Sequence, residues 1–159
     1  NDAEQSFQGI KQQLTSSPTL LIADFNKPFV LYVDASKVAA GAALMQADDS
    51  GMHRPVCYYS KKFNSAQCNY CTSEREALSL VLAVRAFRIY LSGHVVVYTD
   101  HEPLKFINRM AGIQQKILRW SLELQPYNLE IKHVPGCLNV VADYLSRICV
   151  MSDVCGVKC

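Results

Sequence analysis

Two apolar segments of this chain each lead into an aspartate, and this pattern constrains the fold most strongly. Residues 29–33 are Phe, Val, Leu, Tyr and Val, which favour a β-strand buried on both faces in the middle of a sheet. Asp34 follows, where burial of its charge is costly unless a partner or a metal ion binds it. The segment His94–Thr99 repeats the pattern and is followed by Asp100. The sequence therefore predicts two central strands, each presenting a carboxylate at its end.

Length and charge limit the class of protein. With 159 residues, 50% of them hydrophobic, the chain suffices for one domain with a sizeable core but is short for two. The net charge of +2 creates no general basic field, so any nucleic acid must bind a local patch. The apolar runs are far shorter than the roughly 20 residues of a membrane span, and the first residues are too polar for a signal peptide. We expect a soluble, unsecreted protein without membrane contact.

The seven cysteines indicate reduced thiols, because an odd number cannot all pair in disulfides and no secretory signal is recognised in the sequence. Cys68 and Cys71 form a C-x-x-C pair, which suits a redox site or half of a zinc site. No second C-x-x-C or H-x-x-H pair completes a zinc tetrad, so neither role is favoured. Three C-terminal cysteines have irregular spacing and stay unassigned: Cys149, Cys155 and Cys159.

Hydrophobic periodicity and turn residues predict the order β-β-β-α-β-α-α-β-α after a polar helix at residues 1–14. The first three strands form a meander, and a long helix ended by Gly93 crosses over to the fourth. We therefore expect an α/β domain with a mixed sheet, in which Gly41 favours a close backbone approach. The predicted strands are 29–33, 40–46, 55–61, 94–99 and a half-exposed edge strand at 127–134, and the predicted helices are 73–91, 103–108, 114–124 and 138–147.

The two aspartates are predicted to meet at one edge of the sheet. If the helix at residues 73–91 is the crossover, Asp34 and Asp100 emerge together at the carboxyl ends of adjacent parallel strands, where ligands bind in open α/β sheets. Two carboxylates so close repel each other, and a divalent cation commonly relieves that repulsion. The alternative is that both acids lie in loops and face water.

Two further acids have competing interpretations. Glu76 lies three residues after Ser73, and this spacing favours a capping box in which Ser73 caps the helix and Glu76 bonds back to it. Glu74 is the weaker candidate for a ligand. Asp143 sits in an otherwise apolar helical turn, for which a solvent-facing position on an amphipathic helix is the favoured interpretation. The pattern alone assigns neither Glu76 nor Asp143 to a site.

Several short strings occur in order along the chain. They are VDAS at residues 33–36, NYCTSEREAL at 69–78, RIYLSG at 88–93, TDHEPL at 99–104, RW at 119–120 and NVVADYLSR at 139–147. Together they resemble the ribonuclease H domain of gypsy-type LTR-retrotransposon reverse transcriptases, from about Phe7 to Arg147. Residues 7–29 resemble the tail of the polymerase connection. The resemblance implies a linker at 1–27, a ribonuclease H-like domain at 28–147 and an unassigned tail at 148–159.

The resemblance implies a ribonuclease H-like fold, with a five-stranded mixed sheet flanked by helices. It also implies a site of four carboxylates, and it favours a catalytic Glu76, although the same residue can cap a helix. Four such ligands can hold two Mg²⁺ ions, with Mn²⁺ as a substitute, about 3.5 to 4 Å apart for in-line hydrolysis at phosphorus. The implied catalytic and metal-binding residues are Asp34, Glu76, Asp100 and Asp143.

The implied activity is hydrolysis of the RNA strand of an RNA–DNA hybrid during reverse transcription. Contacts to 2′-hydroxyls would distinguish RNA from DNA, and local cations would hold the backbone. The implied partners are the hybrid and the polymerase domain of the same polyprotein, inside the cell, in the cytoplasm or in a retroelement particle. The competing class is a non-catalytic scaffold or a co-opted module that binds hybrid without cutting it.

The chain departs from the family at a histidine. Many ribonucleases H carry a histidine in a loop shortly before the last carboxylate, but residues 135–142 contain none. His133 is nearby, in the predicted edge strand, and we assign it a structural role. His101 matches the TDH string, which by itself does not imply contact with substrate.

Aromatic and basic side chains leave alternatives open. Trp120 shares a predicted helix with Ile117 and Leu124, so a core position is favoured over contact with nucleic acid. Lys61 and Lys62 suit contacts to phosphates and an ordinary solvated strand end equally well.

Overall fold

The computed structural model describes residues 2–16, 19–102, 104 and 115–154. The predicted helix at 103–108 lies outside these residues, apart from residue 104. The strands are β1 (Phe29–Ala35), β2 (Ala39–Ala47), β3 (His53–Lys62), β4 (His94–Thr99) and β5 (Asn128–His133). The helices are α1 (Asp2–Thr15), α2 (Ser65–Cys68), α3 (Thr72–Phe87), α4 (Gln115–Leu124) and α5 (Val140–Val154), with a 3₁₀ turn at Gly136–Leu138.

The five strands form one mixed sheet in the order β3-β2-β1-β4-β5. β1 pairs with β2 and β2 with β3 in antiparallel fashion, whereas β4 is parallel to both β1 and β5. The predicted meander, the crossover through α3 and the edge position of the last strand are therefore confirmed. β1 lies in the centre of the sheet, so its end is enclosed by neighbours on both sides.

The two faces of the sheet are covered by different helices. α3 packs on β1 and β2 over the main core, where each fully buried aliphatic side chain contributes about 1.5–3 kcal/mol. α5 packs on the opposite face, against β1, β2 and β3. The α3 face buries Leu31, Val33, Leu44, Leu80, Val81, Val84 and Val97, and the α5 face holds Val30, Ala43, Met45, Val141 and Leu145.

β4 shares the apolar sequence of β1 but is less buried than β1. Val95 and Val97 are buried on the α3 face, but Val96 and Tyr98 on the other face are only half-buried. The reason is that α5 packs over β1, β2 and β3. An apolar sequence alone does not reveal which strands a helix reaches.

The predicted end of α3 at residue 91 is wrong, because the helix ends at Phe87. The amide of Tyr90 donates to the carbonyl of Phe87 at 2.8 Å, so the chain leaves the helix in a tight turn. This turn stacks Tyr90 on the ring of Phe25, at 5.9 Å between centroids, and sends Leu91 into the core at 3% exposure. Packing, rather than Gly93, decides where this helix ends.

α2 is a short helix that the sequence pattern did not predict. Asn64 caps it: its side chain accepts a hydrogen bond from the amide of Gln67 at 2.9 Å, and Gln67 accepts one from the amide of Asn64 at 3.0 Å. A helix of four residues is too short to show periodicity. Among the described residues, no helix combines the length and the apolar character that crossing a membrane requires.

Candidate metal centre

Three carboxylates converge at one edge of the sheet. Asp34 and Asp100 each follow the paired residues Tyr32 and Tyr98 by two positions, so the parallel pairing of β1 with β4 brings them to the same level. Glu76 lies in the second turn of α3, the crossover helix. One oxygen from each of the three acids lies within 4.8 Å of the others. The predicted meeting of Asp34 and Asp100 is therefore confirmed, and Glu76 joins them.

The burial of these acids decides between the earlier alternatives. Asp34 is 3% exposed and Glu76 is 4% exposed, whereas Asp100 is exposed. The alternative that both aspartates face water is thus wrong for Asp34. The centre has a dry side, formed by Asp34 and Glu76, and a solvent side at Asp100.

The predicted capping box between Ser73 and Glu76 is also wrong. α3 begins at Thr72, so Cys71 is the N-cap and the third helical residue is Glu74. The carboxylate of Glu74 accepts the hydrogen bond from the amide of Cys71 at 3.0 Å. Cys71 and Glu74 therefore form the cap, and the carboxyl group of Glu76 is left to the acidic cluster.

Burial and mutual repulsion make this cluster a poor place for uncompensated negative charge. Burial, then the charges of Asp34 and Asp100, raise the pKa of Glu76 from 4.5 to about 9. Burial also raises the pKa of Asp34, against the effect of a hydrogen bond from Ser146, and Asp100 and Asp143 add to the rise. The Oε2 atom of Glu76 is buried without a hydrogen-bond partner. Clustered carboxylate oxygens with an unused acceptor fit a hard divalent cation such as Mg²⁺.

Asp143, the fourth predicted ligand, lies beside the three acids but outside their 4.8 Å group. Its side chain is 39% exposed, and Oδ1 accepts hydrogen bonds from Nε of Arg147 at 2.8 Å and from Nη2 at 2.5 Å. Its charge is close enough to raise the pKa of Asp34. The structure thus places Asp143 next to the cluster with a cationic partner of its own, and its role as a metal ligand stays a prediction.

Two buried polar side chains that the sequence analysis did not single out hold the end of β1. The hydroxyl of Ser79 in α3 donates to the carbonyl of Asp34 at 2.6 Å. The side-chain amide nitrogen Nδ2 of Asn139, just before α5, donates to the carbonyl of Val33 at 2.8 Å. The available sequence signal for both residues was a polar side chain on or beside an apolar helix face, because a polar group buried there needs a hydrogen-bond partner. These bonds fix the backbone that carries the Asp34 carboxylate.

Two histidines flank the acidic cluster. Nε2 of His101 lies 3.0 Å from the hydroxyl of Ser73, which ties the residue after Asp100 to the first turn of α3. Nε2 of His133, at the end of β5, lies 3.2 Å from the backbone carbonyl of Asp100. Both contacts fix the segment around Asp100, in keeping with the structural role predicted for His133.

The remaining candidates lie elsewhere. Cys68 and Cys71 are free thiols and belong to no cluster of three or more metal-ligating groups in the part of the chain that the structure describes. Trp120 is half-buried and packs against the core, as predicted, with its ring 6.1 Å from that of Tyr70. The exposed Lys61 is the penultimate residue of β3, at the same edge of the sheet as Asp34.

The family match and the sequence relatives of this chain agree with one another. Residues 24–127 match the family described as "RNase H-like domain found in reverse transcriptase". The chain is 44% identical over 148 residues to the retrovirus-related Pol polyprotein from transposon opus of Drosophila melanogaster, covering 92% of this chain and 15% of that protein. It is 40% identical over 149 residues to the transposon Tf2-3 polyprotein of Schizosaccharomyces pombe, covering 91% of this chain and 11% of that protein. The chain therefore spans a small part of these relatives.

Solved structures show the same fold at low sequence identity. The prototype foamy virus protease-reverse transcriptase superposes with a TM-score of 0.64 and 13% identity, over 84% of this chain and 18% of the viral chain. The RNase H1 of the archaeon Halobacterium salinarum superposes with a TM-score of 0.57 and 17% identity, over 79% of this chain and 98% of the archaeal enzyme. The ribonuclease H-like fold expected from the sequence is thus confirmed.

Proposed function

The chain belongs to the RNase H-like domains found in reverse transcriptases, and from this premise we propose that it hydrolyses the RNA strand of RNA–DNA hybrids. Its relatives are named as transposon polyproteins. We place the activity in reverse transcription, within a polyprotein that also carries the polymerase. In this arrangement, residues 1–27 link the polymerase to a domain at residues 28–147.

The cluster of Asp34, Glu76 and Asp100, in which Asp34 and Glu76 are buried, is the observation that carries this proposal. With Asp143 beside it, the cluster would hold two Mg²⁺ ions through carboxylate oxygens. Divalent metal ions bound there would supply activation of water and stabilisation of the charge that develops in displacement at phosphorus. A scaffold would have no use for buried acids that repel one another, since each costs free energy to ionise.

The individual acids contribute differently to such a site. Asp34 and Glu76 lie on the dry side, where low water content strengthens their electrostatic interaction with a cation. Asp100 lies on the solvent side, where a phosphate backbone can approach. Because cation binding requires ionised carboxylates, a cation bound there would displace the proton that the raised pKa of Glu76 retains at neutral pH.

The family and the surface support a proposal for the substrate. A related foamy virus protease-reverse transcriptase has been solved in complex with an RNA/DNA hybrid, at a TM-score of 0.58 to this chain. For this chain we propose the same class of ligand, with 2′-hydroxyl contacts selecting the RNA strand. Lys61 and Lys62, at the site edge, would contact phosphates.

A cleavage assay with a labelled hybrid tests the proposal. The native chain should cut the RNA strand in Mg²⁺, and Asp34→Asn should reduce cleavage at least about 100-fold, because one buried ligand is lost. Asp49→Asn is the matched control, since Asp49 has a fully exposed side chain paired with Lys27 at the other end of β1. This variant should cut like the native chain. The same comparison within a longer polyprotein segment that includes the polymerase excludes weak substrate binding as a cause of low activity.

The opposite result would support the non-catalytic alternative. If the native chain binds the hybrid but neither it nor the longer segment cuts it, the domain is a hybrid-binding scaffold. Equal cleavage by the native chain and Asp34→Asn would remove the acidic cluster from the mechanism.

A further inference from the structure

A buried serine joins two of the acids at the site. Ser146 lies in α5 and is 0% exposed. Its hydroxyl lies 2.5 Å from Oδ2 of Asp34 and 2.8 Å from the backbone carbonyl of Asp143. The hydroxyl carries one proton, so it can donate to one of these two oxygens at a time. Ser146 therefore contacts the carboxylate of one acid and the backbone of the other.

The backbone of α5 at this point is held against the sheet by hydroxyl groups. Ser36, just after β1, donates to the carbonyl of Ser146 at 2.6 Å. Ser60 in β3 donates to the carbonyl of Leu145 at 2.7 Å. The helix is thus fixed where Ser146 reaches Asp34, and the hydroxyl that faces the acid has little freedom to move.

Gly41 makes this approach sterically feasible. It pairs with Asp34 in the β1–β2 ladder. A methyl group at this position would lie 2.3 Å from the carbonyl oxygen of Ala142 and 2.3 Å from the amide nitrogen of Ser146. The absence of a side chain at residue 41 lets α5 lie directly on the backbone of β2.

We propose that Ser146 is a positioning residue that orients the Asp34 carboxylate for cation binding and sets the distance between Asp34 and Asp143. This inference rests on the proposed function, because it concerns the same site. A hydrogen bond to Oδ2 removes the rotation of the carboxylate and leaves its remaining lone pairs for a cation. Because Ser146 and Asp143 lie three residues apart on α5, the bond to Oδ2 also ties the helix that carries the fourth acid to the first acid. Mutation of a residue that hydrogen-bonds to a metal ligand typically lowers metal affinity or activity by about 10- to 100-fold.

Calorimetric titration of the substrate-free chain with Mn²⁺ and with Mg²⁺ tests the role directly. Ser146→Ala should weaken cation binding about 10-fold. In the cleavage assay, the metal concentration that gives the half-maximal rate should rise by the same factor. Ser146→Cys keeps nearly the same shape with a weaker S–H donor, so its affinity should fall between those of the native chain and Ser146→Ala.

Ser60→Ala is the matched control. It removes a hydroxyl-to-carbonyl bond to the same helix without touching Asp34. Urea unfolding without metal measures the stability of each variant. A purely structural role for Ser146 predicts that Ser146→Ala and Ser60→Ala lower stability while both keep native cation affinity.

The outcomes separate this inference from the proposed function. Native cation affinity in both Ser146 variants, alongside hybrid cleavage by the native chain, would overturn the positioning role and leave the nuclease proposal standing. If the native chain binds no divalent cation and cuts no hybrid, both proposals fail together. If Ser146→Ala does not fold, the cation affinity of Ser146→Cys relative to that of the native chain decides the matter: weaker binding supports the positioning role, and native binding overturns it.

Discussion

Glu76 is a buried carboxyl group whose ionisation depends on what binds beside it. Its Oε2 atom has no hydrogen-bond partner, and burial together with two neighbouring acids raises its pKa to about 9. In the metal-free protein it is therefore neutral at physiological pH. A cation favours the ionised form, so metal and protons compete for the same group.

The stability of the metal-free chain should fall as the pH rises from about 4.5 to about 9. In this window the unfolded chain has lost the Glu76 proton while the folded chain keeps it, so the folded state binds more protons and a rise in pH favours unfolding. Asp34, whose pKa is also raised, acts in the same direction. Urea unfolding in EDTA at several pH values measures this slope.

Glu76→Gln provides the comparison for this slope. Glutamine does not ionise, so the variant should lose much of the decline with pH and keep the smaller part that comes from Asp34. If native and variant slopes coincide, the raised pKa of Glu76 in the folded chain is wrong.

α5 is the element on which the fourth acid depends. It carries Asp143 and Ser146, and Asn139 anchors its first turn to β1. Because it rests on the backbone at Gly41, the helix position is set by close contact rather than by flexible side chains. A displacement of this helix therefore moves Asp143 relative to Asp34.

Gly41→Ala should destabilise the chain by about 1–3 kcal/mol, since the new methyl group forces α5 away from β2. Cleavage should fall as well, because Asp143 and Ser146 move with the helix. Gly93→Ala is the control, with no atom within 4 Å of the added methyl group. Urea unfolding and the hybrid assay check both variants, and equal behaviour of the two would contradict close packing at Gly41.

The elements themselves could be predicted because their signals are local. Runs of apolar residues mark β1 and β4, and their shared pattern correctly placed Asp34 beside Asp100. Helix ends were less predictable. Ser73 is a residue type that often caps helices, yet α3 starts at Thr72 and its N-cap is Cys71. Ser146 had no local signal, because its partner Asp34 is 112 positions away.

At the scale of the whole molecule, the two ends of β1 carry different charge patterns. Asp34 lies at one end, together with Lys61 at the end of β3. Lys27 lies at the other end, paired with Asp49 at 2.9 Å. Because the net charge is only +2, the position of each lysine matters more for binding nucleic acid than the total charge of the chain does.

Lys61→Ala should weaken hybrid binding and reduce the dependence of log affinity on log salt concentration by about 1, the effect of losing one phosphate contact. Lys27→Ala removes the same charge at the opposite end of β1 and should leave that slope unchanged. Binding titrations at several salt concentrations, in Ca²⁺ or without metal to prevent cutting, measure both. Equal slopes for the two variants would mean that Lys61 is an ordinary solvated strand end.

The 112-position separation between Asp34 and Ser146 also sets an order of events during synthesis. The three clustered acids all precede α5 in the chain, so they leave the ribosome first. The strip of β2 around Gly41 stays uncovered until α5 arrives, and closing so long a loop is slow compared with forming local turns. On the proposed function, a nascent domain would thus be able to fold its sheet early but would acquire cleavage activity only after α5 has been translated.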